Sequence, residues 1–137
     1  LDLIDQIRHT VGEGRTVSVE DLPDAVRPLL AAATVERTNG NVIVVTSQMD
    51  RAHYIASIIS EYTDPDTSVE IWPAPDAHPF DQLANDPDVR IRRLSILDDL
   101  CNGQERTILV TPVTGLLQRL ISPAELAEAT RRLQPGT

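Results

Sequence analysis

Four consecutive β-branched residues, Val42-Ile43-Val44-Val45, stand between two segments of helical period, and this run constrains the fold most. A strand with no polar alternation has no face to give to water. It therefore reads as a strand buried on both faces, the kind found in parallel sheets. Asn39-Gly40-Asn41 supplies the turn before it. Residues 48–62 follow as a helix, with Met49, Ala52, Ile55, Ala56, Ile58 and Ile59 mostly inward. After Asp64-Pro65-Asp66, residues 69–72 form a second strand. A helix over residues 88–101, apolar at Val89, Ile91, Leu94, Ile96, Leu97 and Leu100, ends at Asn102-Gly103 and leads to a third strand at residues 108–110. Strands that alternate with helices give the βαβ rhythm, so the predicted class is α/β, with a doubly wound and mainly parallel sheet.

Outside that unit the signals are shorter. Residues 1–11 read as an amphipathic helix with Leu3, Ile4, Ile7 and Val11 on one face, stopped by Gly12-Glu13-Gly14. Residues 16–19 are a short β-prone run. Residues 22–37 read as a helix capped by Asp21 or Asp24, with Val26, Leu29, Leu30, Ala33 and Val35 apolar and Pro28 weakening its first turns. Residues 73–88, rich in proline and aspartate, read as an ordered loop with one helical turn near residues 80–84. Pro112 is placed to start a helix through about residue 120. Ser122 and Glu125 have capping-box spacing for a last helix reaching about residue 133. The expected organisation is an α/β domain over residues 1–120, followed by a carboxyl-terminal helix over residues 121–137.

Composition narrows the chemistry. A chain of 137 residues is one domain by size and can build a core without staples. Aromatic residues are 3% against 41% hydrophobic, so the core is aliphatic. A lone cysteine, Cys101, leaves no internal disulfide and fits a reducing compartment. No apolar run approaches a membrane span and no leader pattern is visible, so a cytoplasmic protein is expected. Three scattered histidines and one thiol make no metal set. A net charge of −9 disfavours autonomous binding to nucleic acid. All twelve basic residues are arginine, so a Schiff-base or phosphate-loop lysine is impossible, while bidentate pairing with carboxylates is open.

Parallel sheets place ligands beyond the carboxyl ends of their strands. The turns expected there, Thr46-Ser47-Gln48, Pro73-Ala74-Pro75-Asp76 and Thr111-Pro112-Val113, hold no glycine. A phosphate cradle needs glycine for close approach of backbone N–H groups. The Gly12 and Gly14 pair follows a helix and reads as its stop. Asp76, His78 and Asp81 stand close together in sequence. A histidine between carboxylates can serve as a general base. The same residues also pin proline-rich loops through side-chain-to-backbone hydrogen bonds, and that reading is preferred. No catalytic residue, nucleotide site, metal or cofactor is assigned. Trp72 reads as a packing anchor, Cys101 as a buried or half-buried small apolar residue, and His53 as a partly exposed surface residue. Arg90, Arg92 and Arg93 are expected to pair with the aspartate-rich loop. Arg131 and Arg132 read as a helix end that complements its dipole.

These segments, taken in order, carry a family resemblance. Val42-Ile43-Val44-Val45-Thr46 and its helix come first, then Ile71-Trp72-Pro73-Ala74-Pro75-Asp76-Ala77-His78-Pro79-Phe80-Asp81. Arg93-Leu94-Ser95-Ile96-Leu97 follows, and last Ile108-Leu109-Val110-Thr111-Pro112-Val113 through Leu116-Leu117-Gln118-Arg119. Residues 42–119 thus resemble the amino-terminal region of the bacterial transcription-repair coupling factor family, Mfd. The motif positions are Trp72, Asp76, Pro79, Phe80, Asp81, Arg93, Leu94 and Gln118, in structural roles. The chain departs from the family pattern at His78, where leucine is usual, and in its leading helix. The same region resembles the first domain of UvrB. UvrB, however, has a Gly-Lys-Thr phosphate loop where this chain has Pro28-Leu29-Leu30-Ala31-Ala32-Ala33-Thr34. It also has an aromatic-rich hairpin insertion that has no counterpart after Phe80.

The resemblance implies a degenerate RecA-like or P-loop NTPase fold without its phosphate loop. It implies a scaffold module that helps recruit UvrA to stalled RNA polymerase, within a parent whose motor hydrolyses ATP and acts on DNA elsewhere. Most of the UvrA contact is then expected beyond Thr137, with Arg119, Arg131 and Arg132 as contact candidates within this segment. The competing expectation is a small α/β enzyme or nucleotide-binding domain that uses the Asp76, His78 and Asp81 loop.

Overall fold

A computed structural model describes residues 3–37, 40–74, 86–103 and 106–130. Three strands, β1 (Val42–Thr46), β2 (Thr67–Ile71) and β3 (Arg106–Pro112), form one sheet in the order β1-β3-β2. Both pairings are parallel, with Val42 beside Ile108 and Thr67 beside Arg106. The helices are α1 (Leu3–Gly12), α2 (Val26–Arg37), α3 (Met49–Tyr62), α4 (Pro87–Asn102) and α5 (Pro123–Ala129), with a 3-10 turn at Val113–Leu117 after β3.

The strand order decides where the helices go. From β1, α3 carries the chain past the central position to β2, and α4 brings it back to that centre. Two right-handed crossovers in opposite directions must lie on opposite faces of the sheet. Burial shows this placement. Ile108 and Val110 of β3 pack with Ala52, Ile55, Ala56 and Ile59 of α3 and with Ala32 and Val35 of α2. Leu109 points the other way and packs with Trp72 and with Ile96 of α4. Alternation along β3 thus serves two aliphatic layers, and each large side chain removed from water contributes about 1.5–3 kcal/mol. On the outside, α1 is tied to α2 by Arg37, whose Nη1 donates to Asp5 Oδ1 at 2.9 Å, and Arg8 Nη1 donates to Arg37 O at 3.3 Å. Among the described residues no helix is long and apolar enough to cross a membrane.

Several local expectations are corrected. β1 is an edge strand and is not buried on both faces: Ile43 and Val45 are 58% and 48% exposed. Its Val42 and Val44 pack toward α2 and α3, but α4 returns over β2 and β3 and leaves the opposite face of β1 open. Residues 16–19 are irregular, with no partner strand among the described residues. α2 begins at Val26, and Val26 and Leu29 are exposed while Pro28, Ala32 and Val35 are buried. Ile91 and Leu94 of α4 are exposed, because three strands give this helix only a narrow surface to cover. Pro112 closes β3 and begins no α-helix. Cys101 is exposed.

The capping box of α5 is present, with Ser122 N donating to Glu125 Oε2 at 2.9 Å and Glu125 N donating to Ser122 Oγ at 3.3 Å. The helix ends at Ala129, short of the expected residue 133, and Leu126 is buried.

Candidate functional site

The carboxyl ends of the strands meet around Trp72. This residue directly follows β2, and its backbone N–H extends the ladder by donating to Val110 O at 2.8 Å. Its ring is 3% exposed, and Nε1 donates to Gly115 O at 3.1 Å, which satisfies the one polar atom of a buried indole. Thr111 is fully buried, and its Oγ1 donates to Trp72 O at 3.3 Å. Gly115 is required at its position. A Cβ there would meet Thr111 Oγ1 and come within 3.1 Å of Trp72 Cδ1.

Arg93, on α4, closes the cluster from the other side. Its guanidinium carbon lies 5.0 Å from the Trp72 ring centroid. Nε donates to Pro73 O at 2.8 Å and Nη1 donates to Gln118 Oε1. Nη2 is buried and has no partner among the described residues. Burial lowers the pKa of Arg93, as expected for a cation removed from water. Its hydrogen-bond partners are a carbonyl and an amide, both neutral. The arrangement binds three segments into one corner, the β2 exit, α4 and the stretch after β3. What it can do chemically is hold that corner in shape.

The remaining strand end is tied down separately. Thr46 Oγ1 donates to Gln48 O at 2.9 Å, and only Ser47 and Gln48 separate β1 from α3. Residues 28–34 lie inside α2, where Thr34 Oγ1 donates to Leu30 O at 2.7 Å.

Of the sequence-predicted positions, Trp72, Arg93 and Gln118 come together. Leu94 is exposed at 42%, and Arg119 is exposed as well. Asp76, His78, Pro79, Phe80, Asp81, Arg131 and Arg132 lie outside the described residues. His53 is exposed as expected. Arg92 pairs with Glu70 of β2, alongside which α4 runs, while most of the aspartate-rich loop lies outside the described residues. Asp86 caps α4 by accepting from Asp88 N at 3.0 Å. Among the described residues no cluster of His, Cys, Asp and Glu could hold a metal ion. Sequence reading missed Thr111 and Gly115. A glycine inside an expected helix was the available signal, since such a residue often marks a close approach.

A scan against protein-family models finds no match to this chain, and a search of curated proteins finds none.

Proposed function

We propose that this chain is a non-catalytic scaffold module from the amino-terminal region of a transcription-repair coupling factor, contributing to nucleotide excision repair by helping recruit UvrA to stalled RNA polymerase. The observation that carries the reading is the joining of Trp72, Arg93 and Gln118 at one corner of a parallel sheet. These residues come from three separate segments, each of which bears the resemblance. A shared structural role explains why such distant positions form one pattern.

Two further features support it. The link between β1 and α3 is two residues long and has no glycine, too short and too stiff to wrap a phosphate. The segment at the place of the UvrB phosphate loop is helical backbone inside α2, with Thr34 bonded to its own helix. On this reading the fold is RecA-like in ancestry, and ATP and DNA are handled by other parts of a longer parent.

The test has two arms. Titration with ATP and Mg²⁺ should leave the melting temperature unchanged, because a ligand that binds the native state raises stability by mass action. In the longer parent, deletion of residues 1–137 should weaken UvrA capture while ATP hydrolysis persists. A clear ATP-dependent stabilisation, or UvrA capture indifferent to the deletion, overturns the proposal.

A further inference from the structure

The last turn of α4 ends in Asn102-Gly103, two residues whose own atoms can react with each other. The backbone nitrogen that follows an asparagine can attack the side-chain carbonyl carbon, and glycine hinders that attack least because it has no Cβ. The fold demands glycine here: a Cβ at position 103 would run into the backbone carbonyl of Asp99. The same turn keeps the pair from reacting. Asn102 is helical, so its backbone turns the Gly103 nitrogen away from its side chain. Gly103 N donates to Asp99 O at 2.6 Å. Asn102 Nδ2 donates to Asp98 Oδ1 at 2.7 Å and to Asp98 O at 3.1 Å. These contacts are exposed, and the buried residue of α4, Ile96, lies more than a turn earlier. A turn held in this way opens without global unfolding.

We propose that Asn102-Gly103 is a self-modification site, a deamidation site that stays silent while the last turn of α4 is closed and reacts when it opens. On opening, Gly103 N gives its proton to base and bonds to Asn102 Cγ. The bond from Cγ to the side-chain nitrogen breaks, and ammonia leaves. Water then opens the cyclic imide at either carbonyl, which yields aspartate or, with the main chain rerouted through the side chain, isoaspartate. Either product loses the amide that donated to Asp98 and adds a negative charge beside Asp98 and Asp99. Carboxylates at the carboxyl end of a helix oppose its macrodipole, so the turn closes less well after the reaction than before it. The chain runs from here into β3, on which both other strands pair, so the mark falls on the connection to the centre of the sheet.

The test incubates the chain at mildly alkaline pH in native buffer and in guanidinium chloride, then cleaves it after arginine for mass spectrometry. The peptide 94–106 carries Asn102 as its one asparagine, and the peptide 38–51 carries Asn39 and Asn41, so the sites are read separately. Asn102 should convert about tenfold or more slowly in native buffer than in denaturant, the factor set by the free energy of a local opening. Asp98→Ala removes the side-chain contact and should speed the native reaction about two- to tenfold, as the loss of one hydrogen bond allows. Asp98→Asn keeps a side-chain carbonyl as acceptor and should stay slow, which separates the contact from a general loss of folding. Equal rates in native buffer and in denaturant overturn the proposal, since the turn would then restrain nothing. So does an Asn102 that stays unconverted in denaturant, or an Asp98→Asn chain that reacts as fast as Asp98→Ala.

Discussion

The guanidinium of Arg93 stacks over the indole of Trp72 at 5.0 Å while its Nε binds the carbonyl of Pro73, the next residue in the chain. One side chain therefore fixes both the ring and the backbone that leaves it. Arg93→Lys loses the planar fork that makes these contacts together, because an ammonium on a flexible stem cannot span them. Both Arg93→Lys and Arg93→Leu should destabilise the chain by about 1.5–3 kcal/mol, the range for hydrogen bonds to charged groups. Urea melts of both variants check this, and a double-mutant cycle with Gln118→Ala should show coupling.

Trp72→Ala empties the centre of the corner and should cost about 3–5 kcal/mol. Trp72→Phe keeps most of the apolar volume but deprives Gly115 O of its donor, for a smaller loss of about 1–3 kcal/mol. Denaturant melts that show Trp72→Ala within about 1 kcal/mol of the parent would contradict the burial.

Gly115→Ala adds one methyl group against Thr111 and Trp72. Both neighbours are buried and held by hydrogen bonds, so neither can retreat cheaply. Overpacking of this kind costs about 1–3 kcal/mol, measurable as a lowered melting temperature. Gly12→Ala, where a Cβ meets nothing within 4 Å, is the matched control and should be near neutral or stabilising.

Hydrogen bonds from the Ser122 hydroxyl, then from the Ser122 backbone N–H, hold the Glu125 carboxyl below the usual glutamate range. A depressed folded value gives stability that is fully present above the unfolded value and is lost as pH falls through the folded one. The melting temperature should therefore fall with acidification in that window, and less so in Glu125→Gln. Ser122→Ala should cost about 0.5–2 kcal/mol at neutral pH.

Cys101 is exposed at the end of α4. A maleimide or aromatic disulfide reagent should label it fully in the native chain, at a rate little changed by denaturant. Labelling that waits for unfolding would place the thiol inside.

What the sequence made legible was local. The α3 helix was readable almost to the residue, because Ala52, Ile55, Ala56 and Ile59 recur at helical spacing and all are buried. The parallel class was readable from the βαβ alternation. Strand order was not, because nothing in Val42–Thr46 says whether one neighbour or two will flank it. The exposure of Ile43, Val45, Ile91 and Leu94 follows from that unseen order, since a helix covers what lies beneath it and no more. At the corner, Trp72 was readable as an anchor. The pairing of Arg93 with Gln118 was not, because it joins residues set side by side only once α4 and β3 have docked. The Arg92–Glu70 pair was not legible for a similar reason: a nearby aspartate-rich loop in sequence says nothing about Glu70 across the sheet edge.

The central place of β3 has a consequence for synthesis on the ribosome. Among the described residues β1 and β2 do not pair with each other, and each pairs with β3, the last of these three strands to be made. Until Arg106–Pro112 has left the exit tunnel, the nascent chain can hold helices but cannot form this sheet. Its aliphatic strands Val42–Thr46 and Thr67–Ile71 must wait without partners while α4 is translated. Folding of this sheet then waits on a late, non-local closure, the kind of topology that slows folding and leaves apolar strands open to aggregation in the interval.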